Sequence, residues 1–301
     1  MKWILSEKMG GHQASIYCLC ATDDPNSFLS SGGDGMIVSW NLAEPDLGKI
    51  FARNEEGIFC MFYQSAKSIL FCGDMKGQIL AFDYPQKKVI KKWKAHQGSV
   101  FKLLYLEQGL LSVGADGILH LWDSKEYRLK QSFTLSSKSL RTIAYEPKHN
   151  KIVAAGSEGK FYFFELKNNF LDYTGQKQAH DSSIFSLAFT PEHNYLLSGS
   201  RDAYIKIWNP ETLEPVPTEP AHLSTINDLC FSEDGSYFFS AGRDKHIKIW
   251  SLDQFKLIQV LDSIRDMGHH KSVNCLLYLN QKLISAGDDR QIIIWSQVKE
   301  K

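Results

Sequence analysis

The sequence predicts an all-β protein made of one unit repeated seven times, and three observations lead there. Tryptophan ends a short alternating run at Trp40, Trp122, Trp208, Trp250 and Trp295, and Phe82 and Phe164 end similar runs in the two gaps. The steps between these marks are 42, 40, 42, 44, 42 and 45 residues, and a fixed period of this size signals a repeat architecture. The segments inside each unit are short apolar-alternating runs bounded by turn residues, as strands are. No window carries a sustained 3.6-residue amphipathic pattern flanked by helix caps.

Repeat five shows the unit. His180 is followed by Ile184-Phe185-Ser186-Leu187-Ala188-Phe189, a polar turn Thr190-Pro191-Glu192-His193-Asn194, the run Tyr195-Leu196-Leu197-Ser198-Gly199-Ser200, a turn at Arg201-Asp202, and Tyr204-Ile205-Lys206-Ile207-Trp208. These are three strands joined by hairpins. A fourth is expected before the next His, as in Lys88-Val89-Ile90-Lys91-Lys92-Trp93. Asp34-Gly35, Asp116-Gly117 and Asp234-Gly235 suit tight turns, because Gly accepts positive φ. Seven units fill residues 1–301, so a single domain is expected.

These marks resemble the WD-repeat (WD40) β-propeller family over essentially the whole chain. The family pattern is a Gly-His near the start of each repeat, an Asp in the turn between the second and third strands, and Trp-Asp at the end of the third. Gly11-His12 and Gly268-His269 match the first mark. Trp122-Asp123 is a strict Trp-Asp pair, whereas Asn41, Asn209 and Ser251 replace the Asp elsewhere. The resemblance implies a seven-bladed β-propeller of four-stranded antiparallel blades. Trp295 leaves too little chain after it for a fourth strand, so residues near Met1 to Ser6 are expected to pair with the last blade and close the ring. Closure removes exposed sheet edges.

The family also implies a buried network of His, Ser/Thr, Asp and Trp in each regular blade. Matching positions here are His12, Ser30, Asp34, Trp40; His96, Ser112, Asp116, Trp122; His180, Ser198, Asp202, Trp208; His222, Ser240, Asp244, Trp250; and His269, Ser285, Asp289, Trp295. A Ser/His/Asp trio invites a hydrolase reading. A catalytic triad, however, occurs once, with an exposed nucleophile and an oxyanion hole, and this trio recurs five times, with Ser always four before Asp and His 20 or 22 before it. A structural role is expected: Asp orders the imidazole, the imidazole meets the Ser hydroxyl, and the hydroxyl accepts the indole N–H, so each buried polar group has a partner. Repeat two has Asn54, Cys72, Lys76 and Phe82 at these positions, and repeat four has Ser136, Ala154, Glu158 and Phe164. Both lose His and Trp together and are expected to rely on apolar packing.

By the same resemblance, the residue five after each His position faces the mouth of the central channel: Tyr17, Phe59, Phe101, Arg141, Phe185, Asn227 and Asn274. The residue before the turn Asp faces the same side: Gly33, Met75, Ala115, Ser157, Arg201, Arg243 and Asp288. Aromatic and Arg side chains are typical interface anchors. The alternative is that the aromatics only fill the channel. The expected partner is a protein or peptide carrying an apolar residue beside an acidic one.

Composition narrows the other classes. Lys plus Arg number 34 and Asp plus Glu 34, for zero net charge, which disfavours a general nucleic-acid binder and a polybasic membrane anchor. No acid, His or Cys occupies the seven mouth positions, so a propeller enzyme is not expected, and neither a cofactor nor a metal is assigned. His269-His270 are adjacent, and adjacent strand residues point to opposite faces. Gly32-Gly33-Asp34-Gly35 is a hairpin turn with no helix after it to receive a phosphate. Lys87-Lys88 and Lys91-Lys92 suit an exposed outer strand, with a nucleic-acid or ribosomal contact as the alternative. Cys18, Cys20, Cys60, Cys72, Cys230 and Cys275 sit mostly in apolar runs without a Cys-x-x-Cys pair, as buried reduced thiols do. The first residues are too charged for a signal peptide, and no apolar run reaches the ~20 residues of a membrane span. The expectation is a cytoplasmic, non-catalytic interaction scaffold, monomeric by itself, with an assembly factor of a nucleic-acid or ribosomal complex as the alternative.

Overall fold

The computed structural model describes residues 2–298 except 217 and 219; Met1 and residues 299–301 lie outside the described residues. Short strands follow one another through the chain. The first is β1 (Lys2–Met9). Blade one comprises β2 (Ile16–Ala21), β3 (Ser27–Gly32), β4 (Met36–Asn41) and β5 (Glu44–Arg53). Blade two comprises β6 (Ile58–Gln64), β7 (Ile69–Asp74), β8 (Gln78–Asp83) and β9 (Lys88–Lys94). Blade three comprises β10 (Val100–Leu106), β11 (Gly109–Gly114), β12 (Ile118–Asp123) and β13 (Leu129–Thr134). Blade four comprises β14 (Leu140–Glu146), β15 (Lys151–Gly156), β16 (Lys160–Lys167) and β17 (Phe170–Gln178). Blade five comprises β18 (Ile184–Phe189), β19 (Leu196–Ser200), β20 (Ile205–Trp208) and the two-residue β21 (Pro215–Val216). Blade six comprises β22 (Ile226–Phe231), β23 (Tyr237–Gly242), β24 (Ile247–Ser251) and β25 (Leu257–Leu261). Blade seven comprises β26 (Val273–Leu279), β27 (Lys282–Gly287) and β28 (Ile292–Val298).

Each blade is an antiparallel four-stranded sheet in sequence order, except blade seven, whose order is β1-β28-β27-β26. Strand β1 pairs antiparallel with β28, from Lys2 opposite Val298 to Met9 opposite Ile292. The ring is therefore closed by a strand drawn from the opposite end of the chain. Trp3 anchors it: the side chain is 1 % exposed and meets Phe239 edge-on at 5.2 Å between ring centres. The Trp3 N–H donates to Gln259 Oε1, and Gln259 Nε2 donates back to the Trp3 carbonyl, each at 2.8 Å. Strand β1 thus completes blade seven and ties it to β25 of blade six.

The core lies between blades rather than within them. Alternation on each strand turns one set of side chains to each neighbouring blade. Buried apolar residues group accordingly at the seven blade interfaces, for example Phe161, Ile184, Leu196 and Trp208 between blades four and five, and Leu197, Ile205, Ile226 and Phe238 between blades five and six. Middle strands covered on both sides are buried throughout, as in β11. The innermost strands β2, β6, β10, β14, β18, β22 and β26 line the channel. Lys88, Lys91 and Lys92 lie in β9, mostly exposed at the outer edge of blade two, and Lys87 lies in the turn before it.

Candidate functional site

The polar sets come together in all five regular blades. His Nδ1 lies 2.8–3.0 Å from its Asp, and His Nε2 lies 2.7–2.9 Å from its Ser Oγ. The Trp Nε1–H donates to the same Ser Oγ at 2.7–2.9 Å. Each Asp also accepts backbone N–H groups at its turn; Asp244 takes Leu223 and His246. Burial alone would raise the Asp244 carboxyl, but the hydrogen bond and charge of His222 and those two amides outweigh it and hold it at about 2. Burial also presses the His180 and His222 imidazoles below their usual value, against the pull of Asp202 and Asp244. The serines are fully buried.

Blades two and four depart from purely apolar packing. In blade four Glu158 takes the Asp position, accepting from Ser136 Oγ at 2.8 Å and Tyr162 Oη at 3.3 Å. In blade two Lys76 stands where the Asp would be, but the fully buried Asp74, two residues earlier, accepts the Lys76 and Gln78 amides at 2.9 and 2.8 Å. Asn54 Nδ2 reaches Asp74 at 3.4 Å and the Glu56 carbonyl at 2.9 Å. The polar link is rebuilt from other residues because the amides of the turn still need an acceptor. The histidine pair also differs from expectation. His269 and His270 lie in a loop, not on a strand, and both rings approach Asp289, at 2.9 and 3.4 Å.

The seven mouth residues line one cavity of about 240 Å³. A shared backbone device brings them there. In every blade the innermost pair of strands carries a β-bulge at the mouth position: at Tyr17, Phe59, Phe101, Arg141, Phe185, Asn227 and Asn274. A bulged residue drops out of the ladder and its side chain is re-aimed. All seven are half-buried.

They divide into two arcs. Tyr17 and Phe59 have ring centres 4.8 Å apart, and Phe59 and Phe101 5.3 Å. The Arg141 guanidinium then lies 4.7 Å from the Phe101 ring centre and 4.6 Å from that of Phe185, and its Nε–H donates to Ser157 Oγ at 3.2 Å. On the other side the polar residues are spent on neighbours. Asn227 Nδ2 donates to Ser272 Oγ and the Val273 carbonyl. Asn274 Nδ2 donates to the Ile16 carbonyl and to Asp288, at 3.0 and 2.7 Å. Arg201 and Arg243 are exposed, and Met75 is half-buried against Gly57.

One residue deeper the channel is lined by Cys18, Cys60, Lys102, Asp228 and Cys275, among others. Lys102 is exposed to the lumen. Asp228 accepts the Leu276 and Leu229 amides at 2.8 and 2.9 Å, and burial raises its carboxyl despite the Lys102 charge. Sequence reasoning missed this second ring, although the residue after each mouth position spells it out. A lateral cavity of about 220 Å³ opens between blades four and five, lined by Phe163, Phe189, Leu196 and Leu213.

A family model, described as WD domain, G-beta repeat, matches residues 3–41, 173–209, 213–251 and 256–296, together just over half of the chain. The chain belongs to the WD40 family. Its curated relatives include WD repeat-containing protein 1 of Gallus gallus, 22 % identical over 240 residues, covering 61 % of this chain and 38 % of that protein. The THO complex subunit 6 homolog of Danio rerio is 23 % identical over 180 residues, covering 53 % of this chain and 55 % of its own length. The matches thus span less than two thirds of these relatives. The WD40 beta propeller domain of Doa1 has the same fold, with a TM-score of 0.85 at 21 % identity over 99 % of this chain and 98 % of that one. WD40 propellers are in general non-catalytic platforms that bind proteins or peptides. In this WD40 chain the six thiols are unpaired, five of them buried. Burial pushes Cys20 and Cys60 up to about 12, so they are protonated and unreactive.

Proposed function

We propose that this WD40 propeller is a non-catalytic, monomeric interaction platform of the cytoplasm, with residues 1–301 acting as one domain. Its channel mouth takes a peptide or loop that carries an aromatic or apolar side chain beside a carboxylate. The observation that carries this reading is Arg141 held between Phe101 and Phe185. Two rings fix the guanidinium plane, and among the described hydrogen bonds only its Nε is engaged. The remaining N–H donors match a carboxylate in a two-pronged fork. Arg201 and Arg243 add positive charge around the mouth and Lys102 adds it below, while Tyr17 and Phe59 offer an apolar wall. A prefixed site lowers the ordering cost of binding. Buried, unpaired thiols accord with a reducing compartment.

The test is selection of random peptides on the immobilised protein. The expected enrichment is Asp or Glu next to an aromatic or large aliphatic residue. Phe101→Ala with Phe185→Ala abolishes it while circular dichroism and the melting temperature stay near wild type. Enrichment of basic peptides, or acidic binding that survives both changes, overturns the proposal.

A further inference from the structure

Blade three differs from the other regular blades at one buried position. Two residues before the network Trp, blades one, five, six and seven carry Val38, Lys206, Lys248 and Ile293, whereas blade three carries His120. The position faces the network. Tyr162, its counterpart in blade four, reaches the turn acid Glu158. Lys206 and Lys248 donate to the carbonyls of Ala179 and Ala221 at 2.7 and 2.6 Å, each just before the network His. His120 reaches the corresponding carbonyl, that of Ala95, with part of its ring only. Its ring is 8 % exposed and packs 4.8 Å from the His96 ring, and its Nδ1 has no hydrogen-bond partner among the described residues. A buried nitrogen without a partner is destabilising and rare.

The surroundings supply what that nitrogen lacks. One ligand atom from each of His96, Asp116 and His120 lies within 4.8 Å of the others. We propose that blade three holds a Zn²⁺ ion between His96 Nδ1, an Asp116 carboxylate oxygen and the unpartnered nitrogen of His120. Two imidazoles and one carboxylate suit a borderline ion such as zinc, whereas calcium and magnesium favour sets made of oxygens.

The proton accounting closes within the blade. In the neutral His96 ring the single proton sits on Nδ1 and points at Asp116. When the metal takes Nδ1, that proton moves to Nε2 and is donated to Ser112 Oγ, 2.8 Å away. The Ser112 hydroxyl proton then turns to the carbonyl opposite, as Ser198 and Ser285 Oγ do toward the Lys206 and Ile293 carbonyls, at 3.4 Å each. Ser112 Oγ still accepts from Trp122. The outer contacts of a metal-bound imidazole are thus already in place. The zinc–nitrogen distance of about 2.0–2.1 Å requires the three groups to draw closer, with the fourth position left for water.

The test uses the full chain stripped with chelator. Co²⁺ is titrated and followed by its visible absorption, and Zn²⁺ by calorimetry and by melting temperature. One equivalent is expected to saturate the site, and zinc raises the melting temperature. In His120→Lys the new side chain occupies the place Lys has in blades five and six, so the fold is retained and the equivalent is lost. His120→Val, which copies blade one, also loses it. The proposal is overturned if wild type shows no saturable cobalt band, or if either folded variant keeps it.

Discussion

Ring closure rests on Trp3, and Trp3→Ala measures it. The indole is fully enclosed by blade six and seven residues, with Phe239, Tyr237 and Tyr278 at 5.2, 6.2 and 6.3 Å between ring centres. Truncating a core Trp to Ala costs about 3–5 kcal/mol. An unfolding entropy of roughly 2.1 cal/mol/K per residue gives about 0.6 kcal/mol/K over this chain. The melting temperature therefore falls by about 5–8 °C in scanning calorimetry. A second variant separates packing from hydrogen bonding. Trp3 Nε1 has no partner among the described residues, so Trp3→Phe loses only ring area and shifts the transition by about 2 °C or less. Trp208 Nε1, by contrast, donates to Ser198 Oγ at 2.8 Å, so Trp208→Phe costs about 1–2 kcal/mol more than Trp3→Phe. If Trp3→Ala melts within about 1 °C of wild type, β1 does not hold the ring and the reasoning fails.

Two further outcomes follow from the polar networks. Ser198→Ala strands His180 Nε2 and Trp208 Nε1 in blade five; at about 1–3 kcal/mol for each unpaired group, urea denaturation shows a loss of roughly 2–6 kcal/mol, and a loss below about 1 kcal/mol would contradict the buried role. For pH, burial holds His180 and His222 below their unfolded value of about 6.5, so the unfolded chain binds more protons there. Their share of stability is complete above about pH 6.5 and declines as pH falls below it. The turn aspartates, which are depressed, add a second loss below about pH 4, reaching about 2 at Asp244. Urea midpoints measured from pH 8 to 3 fall in that order, and a midpoint that rises on acidification refutes the assignment.

Much of this molecule is legible in its sequence because each blade repeats the same physical problem. A buried indole N–H, an imidazole and a turn full of amides need partners, and fixed spacing supplies them, so Trp40, Ser30, His12 and Asp34 predict their own contacts. What is not legible is where a contact is rebuilt with other side chains, at the expected positions or beside them. Asp74 replaces the acid that Lys76 cannot be, and Glu158 with Tyr162 replaces the His-centred set; neither follows from spacing, since each depends on which side chain reaches the turn. Arg141 is readable as a mouth residue, but its clamp between Phe101 and Phe185 joins residues 40 or more positions apart. The bulges are invisible as well, because alternation alone cannot say where a strand gains an extra residue.

Those seven bulges separate two jobs that most β-proteins must do with the same residues. A side chain inside a ladder is answerable to the strand beside it. A bulged one is excused from that pairing, and at this mouth every residue is excused at once. Exchanging Phe for Asn, or Arg for Tyr, as blades three, four, six and one already differ, alters the chemistry the opening presents while the pairing of the two innermost strands stays as it was. The frame can therefore stay unchanged while the lining of the opening varies, one blade at a time.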